Sequence, residues 1–216
     1  MPTANRRRFV PEAIRLFLAQ DYSDKELVIV DNGGDTVSDL MPADPRVRYV
    51  RARPDTVGAL RNIACEEARG ELIAHWDDDD FYAPSRLSRQ ARMLAEDGTE
   101  LCGLNRFAFY DRDARQAWEY RYPATERVWV HGATMGYRKS LWRKQPFPTR
   151  RRIAEDTDFC FMTDPDVIRV ISDLALYVGL VHRANSGVKD PDLVWRMMES
   201  GWITEIVGTT GWAALT

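Results

Sequence analysis

At 216 residues the chain has room for one domain, at roughly 150 residues each, or for a tightly packed pair. Its 44% hydrophobic and 11% aromatic content fills a core, which excludes global disorder, and 30 basic against 33 acidic residues leave a net charge of −3, which presents no chain-wide basic surface to nucleic acid. Cys65, Cys102 and Cys160 are too few and too scattered for a disulfide framework, no apolar run reaches about 18 residues, and Arg6–Arg8 lead into an amphipathic stretch, so the expectation is a soluble cytoplasmic domain with no integral membrane segment.

Phe9, Val10, Ala13, Ile14, Phe17 and Leu18 recur at helical spacing, with Pro11 in the tolerant first turn. Leu27–Val30 is a continuous apolar run, which suits a strand covered on both faces, and it stops at the loop signal Asp31-Asn32-Gly33-Gly34. Val47, Tyr49 and Ala52 mark a second strand. Val57, Leu60 and Ala64 give a helical stripe closed by Gly70, and Leu72–Trp76 is a third strand running into Asp77-Asp78-Asp79-Asp80. Pro84 opens a helix with Leu87, Ala91 and Leu94 on its inner face. This alternation predicts a mostly parallel sheet wrapped by helices. Further on, Leu101–Tyr110 and Gln116–Tyr122 read as strands of a hairpin turning at Asp111-Arg112-Asp113. A helix follows Glu155-Asp156, then strands at Val167–Ile171 and Leu176–Val181, and a terminal amphipathic helix with Leu193, Val194, Met197 and Met198. No repeat or linker interrupts residues 1–216, which read as one α/β domain.

Four consecutive aspartates at a strand end repel one another, and ligands of open α/β sheets bind beyond such ends. A hard divalent cation, Mg²⁺, Mn²⁺ or Ca²⁺, would neutralise them, and alternate residues Asp77 and Asp79 can face one side. A solvated acidic turn that caps the helix near Pro84 is the plainer reading. The apolar strand before the run and Phe81-Tyr82 after it anchor the cluster and favour a site.

Met1-Pro2-Thr3-Ala4-Asn5-Arg6, Glu26–Gly33, Ala59-Leu60-Arg61-Asn62, Trp76–Asp80 and Glu155-Asp156, in that order, resemble the signature blocks of the family 2 glycosyltransferases with the GT-A fold. The resemblance extends from Met1 to about Ser186. It implies a mostly parallel central sheet with flanking helices and a smaller antiparallel element, a nucleotide-binding part over about 1–100 and an acceptor part over about 101–216. It also implies transfer of a sugar from a nucleotide-diphosphate donor, usually a UDP-sugar, to a carbohydrate or other hydroxyl acceptor, with Mn²⁺ or Mg²⁺. Carried over to this chain, Pro2, Thr3, Asn5, Asp31 and Asn32 belong to the nucleoside pocket, and Arg61 reaches the base or diphosphate. Asp79 is the direct metal ligand, Asp77 or Asp78 holds ribose or a metal-bound water, and His182 completes the metal and diphosphate site. Asp156 is the general base of an inverting transfer.

Two departures accompany the resemblance. The family carries apolar residues before its Pro-Thr block, so here the first strand is expected to be short or the sequence truncated. Ala4 stands where an aromatic is common, and Asn32 where many members have an acid. Plainer roles exist for the same residues: Asp156 as a helix cap, His182 as a packed histidine, Arg61 as a salt-bridge partner and Arg150-Arg151-Arg152 as a solvated loop. Trp118, Trp129 and Trp142 are candidates for sugar stacking or for the core. His75 and His131 carry no assigned role. The rival functions are a degenerate domain that binds nucleotide or glycan without catalysis, and a sugar-1-phosphate nucleotidyltransferase. The latter needs a glycine-rich loop at the start, and no glycine precedes Gly33. Peripheral membrane association stays open.

Overall fold

The computed structural model describes residues 1–150, 154–183, 185, 195–199 and 201–215, with 209–215 described by their backbone alone. The first three strands, β1 (Pro2–Thr3), β2 (Leu27–Asp31) and β3 (Val47–Arg51), form an all-parallel sheet in the order β1–β2–β3, which sets Thr3 beside Asp31. All five residues of β2 are buried, and the strand's period of two sends them to opposite faces. Leu27 and Ile29 join the main core with Ile14 and Phe17 of helix α1 (Val10–Leu18). Val28 and Val30 cluster with Leu60 of helix α2 (Val57–Glu67) on the other side. That two-sided cover is why the sequence shows an unbroken apolar run.

The chain continues through β4 (Leu72–Ala74), β5 (Phe81–Tyr82), α3 (Arg86–Ala95), β6 (Leu101–Gly103), β7 (Arg106–Asp111) and β8 (Gln116–Arg121). It then forms β9 (Gly136–Arg138), α4 (Lys139–Lys144), α5 (Glu155–Met162), β10 (Ile168–Val170), β11 (Tyr177–Val181), β12 (Trp195–Met198) and α6 (Trp202–Leu215), the last broken at Gly208. A second sheet has the order β10–β6–β9–β4 and a third the order β12–β8–β7–β11–β5. Both are mixed: β6 with β10 and β7 with β11 are parallel, whereas β9 runs antiparallel to β4 and β6, and β8 antiparallel to β7 and β12. The expected mostly parallel sheet therefore holds for the first sheet, and the antiparallel part is larger than the sequence suggested.

Two other expectations change. Leu101–Tyr110 is two strands in different sheets, because the chain leaves the second sheet after Gly103 and enters the third at Arg106. The predicted terminal helix is, in its described part, β12: Trp195 pairs opposite Tyr120, and its ring stacks on Phe109 with centroids 4.1 Å apart. Leu193 and Val194 lie outside the described residues. Trp118, Trp129 and Trp142 are all buried in the core. Among the described residues no helix is long and apolar enough to cross a membrane.

A slot of about 720 Å³ separates β2 from β4, lined among others by Met1, Leu27, Val28, Leu72, Ala74 and Trp76. At its head the Met1 ammonium donates to the Val28 carbonyl at 2.8 Å.

Candidate active site

The ends of β1, β2 and β4 converge, and the loop after β4 brings its aspartates to them. Thr3 Oγ1 donates to Asp78 Oδ2 at 2.6 Å, and Arg6 Nε lies 3.0 Å from Asp78 Oδ1. Burial pushes the Asp78 carboxyl up to about 7, with Arg6 and Thr3 pulling the other way. Arg6 also pairs with Asp79 Oδ2, and His182 Nε2 and Asn185 Nδ2 reach the same oxygen at 3.0 and 3.2 Å. The His182 ring stacks on Phe9, centroids 4.7 Å apart, so α1 helps aim it at Asp79. Asp80 turns inward, accepting the Tyr177 hydroxyl at 2.6 Å and the Leu180 N–H at 2.9 Å, and thereby fastens the loop to β11. The acidic run is thus divided between a site, Asp77 to Asp79, and an anchor, Asp80.

Asp77 is held by other groups. Its N–H donates to Tyr82 Oη at 2.8 Å and its carboxylate lies 3.7 Å from Arg61 Nη2. Among the described residues no group of three or more His, Cys, Asp or Glu side chains converges as a ready-made ion cage. What the protein offers a cation is Asp79 with His182, a carboxylate and an imidazole within contact. Such a pair fits an ion that completes its shell with diphosphate oxygens, as Mg²⁺ commonly does.

On the nucleoside side, Asp31 is fully buried and receives the Gly33 N–H at 2.8 Å, the Val37 N–H at 3.1 Å and the Tyr49 hydroxyl at 3.0 Å. The carboxylate expected to line the pocket instead folds the loop that forms its wall, because buried charge demands these donors. Asn5 helps in the same way. It adopts φ 58° and accepts the Asp35 N–H at 2.9 Å, with Gly33 so close that any side chain there would strike the Asn5 backbone. Asn32 behaves differently. Its Nδ2 donates to the Pro54 carbonyl at 2.7 Å, while its buried Oδ1 has no hydrogen-bond partner among the described residues. An orphaned acceptor at a strand end is an invitation to a ligand N–H. Pro2, half-buried, pairs beside Val30.

Arg61, expected at the donor, lies beneath the site. Its side chain is 8% exposed, its Nε donates to Glu155 Oε1 at 3.1 Å, and its guanidinium also touches His75. Burial opposes its charge, but Asp77, Glu155 and Asp156 outweigh that and hold it above its ordinary range. Burial pushes Glu155 up from its usual value with Arg61 pulling against it. His75 is held neutral, well below its ordinary value, by burial and then by Arg61, and its Nδ1 lies 2.7 Å from the Gly132 carbonyl. Asp156 sits in the first turn of α5, where Oδ1 accepts the Thr157 N–H at 2.8 Å, and its carboxylate lies over Gly132, whose missing side chain makes the room.

Of the residues singled out from sequence, Thr3, Asp78, Asp79 and His182 meet at one point, and Asp77, Arg61 and Asp156 are linked through Glu155 and the Arg61 network. Sequence reasoning missed Arg6, Asn185, Glu155 and Gly132 as site residues. Arg6 and Glu155 lie inside the motif blocks and Asn185 three residues after His182, and a basic side chain near Thr3 was the available signal for the first. Nothing in the sequence marks Gly132. Arg150 is exposed, and Arg151, Arg152, Ala184 and Ser186 lie outside the described residues.

Compared with known proteins, residues 1–170 match the family model described as Glycosyl transferase family 2. The putative colanic acid biosynthesis glycosyl transferase WcaA of Escherichia coli K12 is 39% identical over 94 residues, which cover 41% of this chain and 34% of WcaA. The O-antigen biosynthesis glycosyltransferase WbnJ of Escherichia coli is 26% identical over 127 residues, 56% of this chain and 50% of WbnJ. The chain therefore spans half or less of the length of these curated relatives. Among solved structures, Staphylococcus aureus TarS 1-349 in complex with UDP-GlcNAc aligns with a TM-score of 0.65 at 19% identity, covering 88% of this chain and 60% of TarS 1-349. Its complex with UDP aligns with a TM-score of 0.64.

Proposed function

Because the chain belongs to glycosyl transferase family 2, we propose that it transfers a sugar from a UDP-sugar to an acceptor hydroxyl, with inversion and with a divalent cation. The observation that carries this reading is Asp79 Oδ2, on which Arg6, His182 and Asn185 converge at the end of β4. Asp79 and His182 would hold the ion, Mn²⁺ or Mg²⁺, which when bound supplies positive charge to the diphosphate as it leaves. Arg6 adds a second, fixed positive charge beside the same carboxylates. Asn32 Oδ1, buried and without a hydrogen-bond partner among the described residues, is an acceptor that the N3–H of uracil would satisfy. The complexes of TarS with UDP and UDP-GlcNAc support a donor of this class.

In the transfer itself, Asp156 takes the proton of the acceptor hydroxyl as that oxygen bonds to the anomeric carbon, and the bond from that carbon to the diphosphate oxygen breaks. Attack opposite the leaving group inverts the centre. Gly132 leaves space for the carboxylate, and the first turn of α5 fixes its direction.

Transfer and hydrolysis assays across a panel of nucleotide sugars, with Mn²⁺ and with chelator, test this reading. Turnover of a UDP-sugar that stops in chelator is expected, and full activity in excess chelator would remove the ion from it. Asp79→Ala should abolish turnover and weaken UDP binding in Mn²⁺ by about tenfold or more, roughly 1.4 kcal/mol. In calorimetry UDP should bind, TDP within about tenfold of it, and GDP and ADP more weakly. Tighter binding of GDP than of UDP would overturn the pyrimidine pocket.

A further inference from the structure

Arg61 joins parts of the chain that are far apart in sequence. It lies on α2, pairs with Glu155 across 94 positions, and faces Asp77 at the head of the acidic loop. Glu155 is the residue before Asp156 and opens α5. Both partners of the pair are nearly excluded from solvent, with side chains 8% and 6% exposed. A pair so buried has no room to slide, since a guanidinium or carboxylate parted from its partner there would stay buried and uncompensated. The fork has a fixed shape, so Nε on Glu155 and Nη2 toward Asp77 set two directions at once. Beneath the fork, His75 packs against the Arg61 guanidinium, and Gly132 underlies the Asp156 carboxylate. The route from Arg61 to Asp156 therefore runs along the chain through Glu155.

We propose that Arg61 is a positioning residue for the transfer step: it holds the acidic loop, through Asp77, and the helix that carries Asp156, through Glu155, at a fixed separation. The inference rests on the glycosyl-transfer reading and departs from the expectation that Arg61 touches the donor. Donor binding and base placement are different functions. Loss of the first raises the donor Kd. Loss of the second leaves the donor bound but misaligned, and a misplacement near 1 Å can cost about 10²-fold in rate.

The test uses the full chain with Arg61→Lys, Glu155→Gln and the two combined. Lys keeps the charge without the fork, and Gln keeps the shape without the charge. For each protein the melting curve, the UDP Kd by calorimetry, and kcat and donor KM are measured. Each single variant should lose roughly 10- to 100-fold in kcat, with UDP Kd and donor KM within about threefold of the parent. The double variant should fall no more than about threefold below the worse single variant, because both remove one strut. Arg61→Lys that raises the UDP Kd in proportion to its loss of kcat/KM, with Glu155→Gln near normal, would overturn the proposal and return Arg61 to the donor. Should a variant lose its cooperative melt, Glu155→Asp keeps the charge and shortens the reach by one methylene, and the same split between kcat and KM is expected of it. If the parent turns over no nucleotide sugar, the transfer reading fails by itself. The calorimetric comparison still decides whether Arg61→Lys leaves UDP binding intact, as the proposal requires, or weakens it.

Discussion

The Asp156 carboxylate makes two contacts. Oδ1 accepts the Thr157 N–H inside the first turn of α5, while the group as a whole lies over Gly132. Asp156→Asn retains an oxygen for the cap but cannot take a proton, so transfer should fall by about 10²-fold or more while the UDP Kd by calorimetry stays near that of the parent. Near-normal turnover, or a product that keeps its anomeric configuration, would remove Asp156 from the base role. At this scale the order of the motif blocks singled out Thr3, Asp78, Asp79 and His182, which the fold brings together across 75 to 103 positions. It also singled out Asp31 and Arg61, but not the protein groups that hold them. Burial decides whether a charged side chain meets a ligand or the protein, and burial is set by segments distant in sequence: Val37 and Tyr49 for Asp31, Glu155 for Arg61. Asp80 shows the same limit, since its partners Tyr177 and Leu180 lie about a hundred positions away.

Elements with a clear period were legible, and those without one were not. Helices α1, α2 and α3 and strands β2 and β3 announced themselves by spacing. Strand β9 has three residues, too few for any period, and exists because its two edges pair with β4 and β6. The break at Leu104-Asn105 was hidden because apolar residues continue on both sides of it while the chain changes sheets. Helix α2 illustrates how an element is held in register. Gly58, in its first turn, lies so near the Pro148 carbonyl that a methyl there would overlap it, and Arg61 is carried one turn later. Gly58→Ala should destabilise the protein by about 1–3 kcal/mol through overpacking, lowering Tm by roughly 2–12 °C in a thermal scan. An unchanged Tm would mean that α2 can shift freely, which the buried Arg61–Glu155 pair opposes.

Across the whole molecule, three sheets meet where a mostly parallel central sheet with a smaller antiparallel element was expected, since antiparallel partners such as β9 and β12 arrive from late in the chain. The slot between β2 and β4 has a consequence for how the protein opens. Leu27 N–H points to β3 and Val30 N–H to Met1, so the intervening Val28 N–H faces the slot, and Leu72 and Ala74 alternate toward it from β4. Amides that face the slot lie outside the β2–β3 and β4–β9 ladders and are the ones water reaches first. In native-state hydrogen exchange, Val28, Leu72 and Ala74 should take up deuterium before Ile29 and Tyr137 do, and exchange of all five at one slow rate would mean that the slot is closed to water.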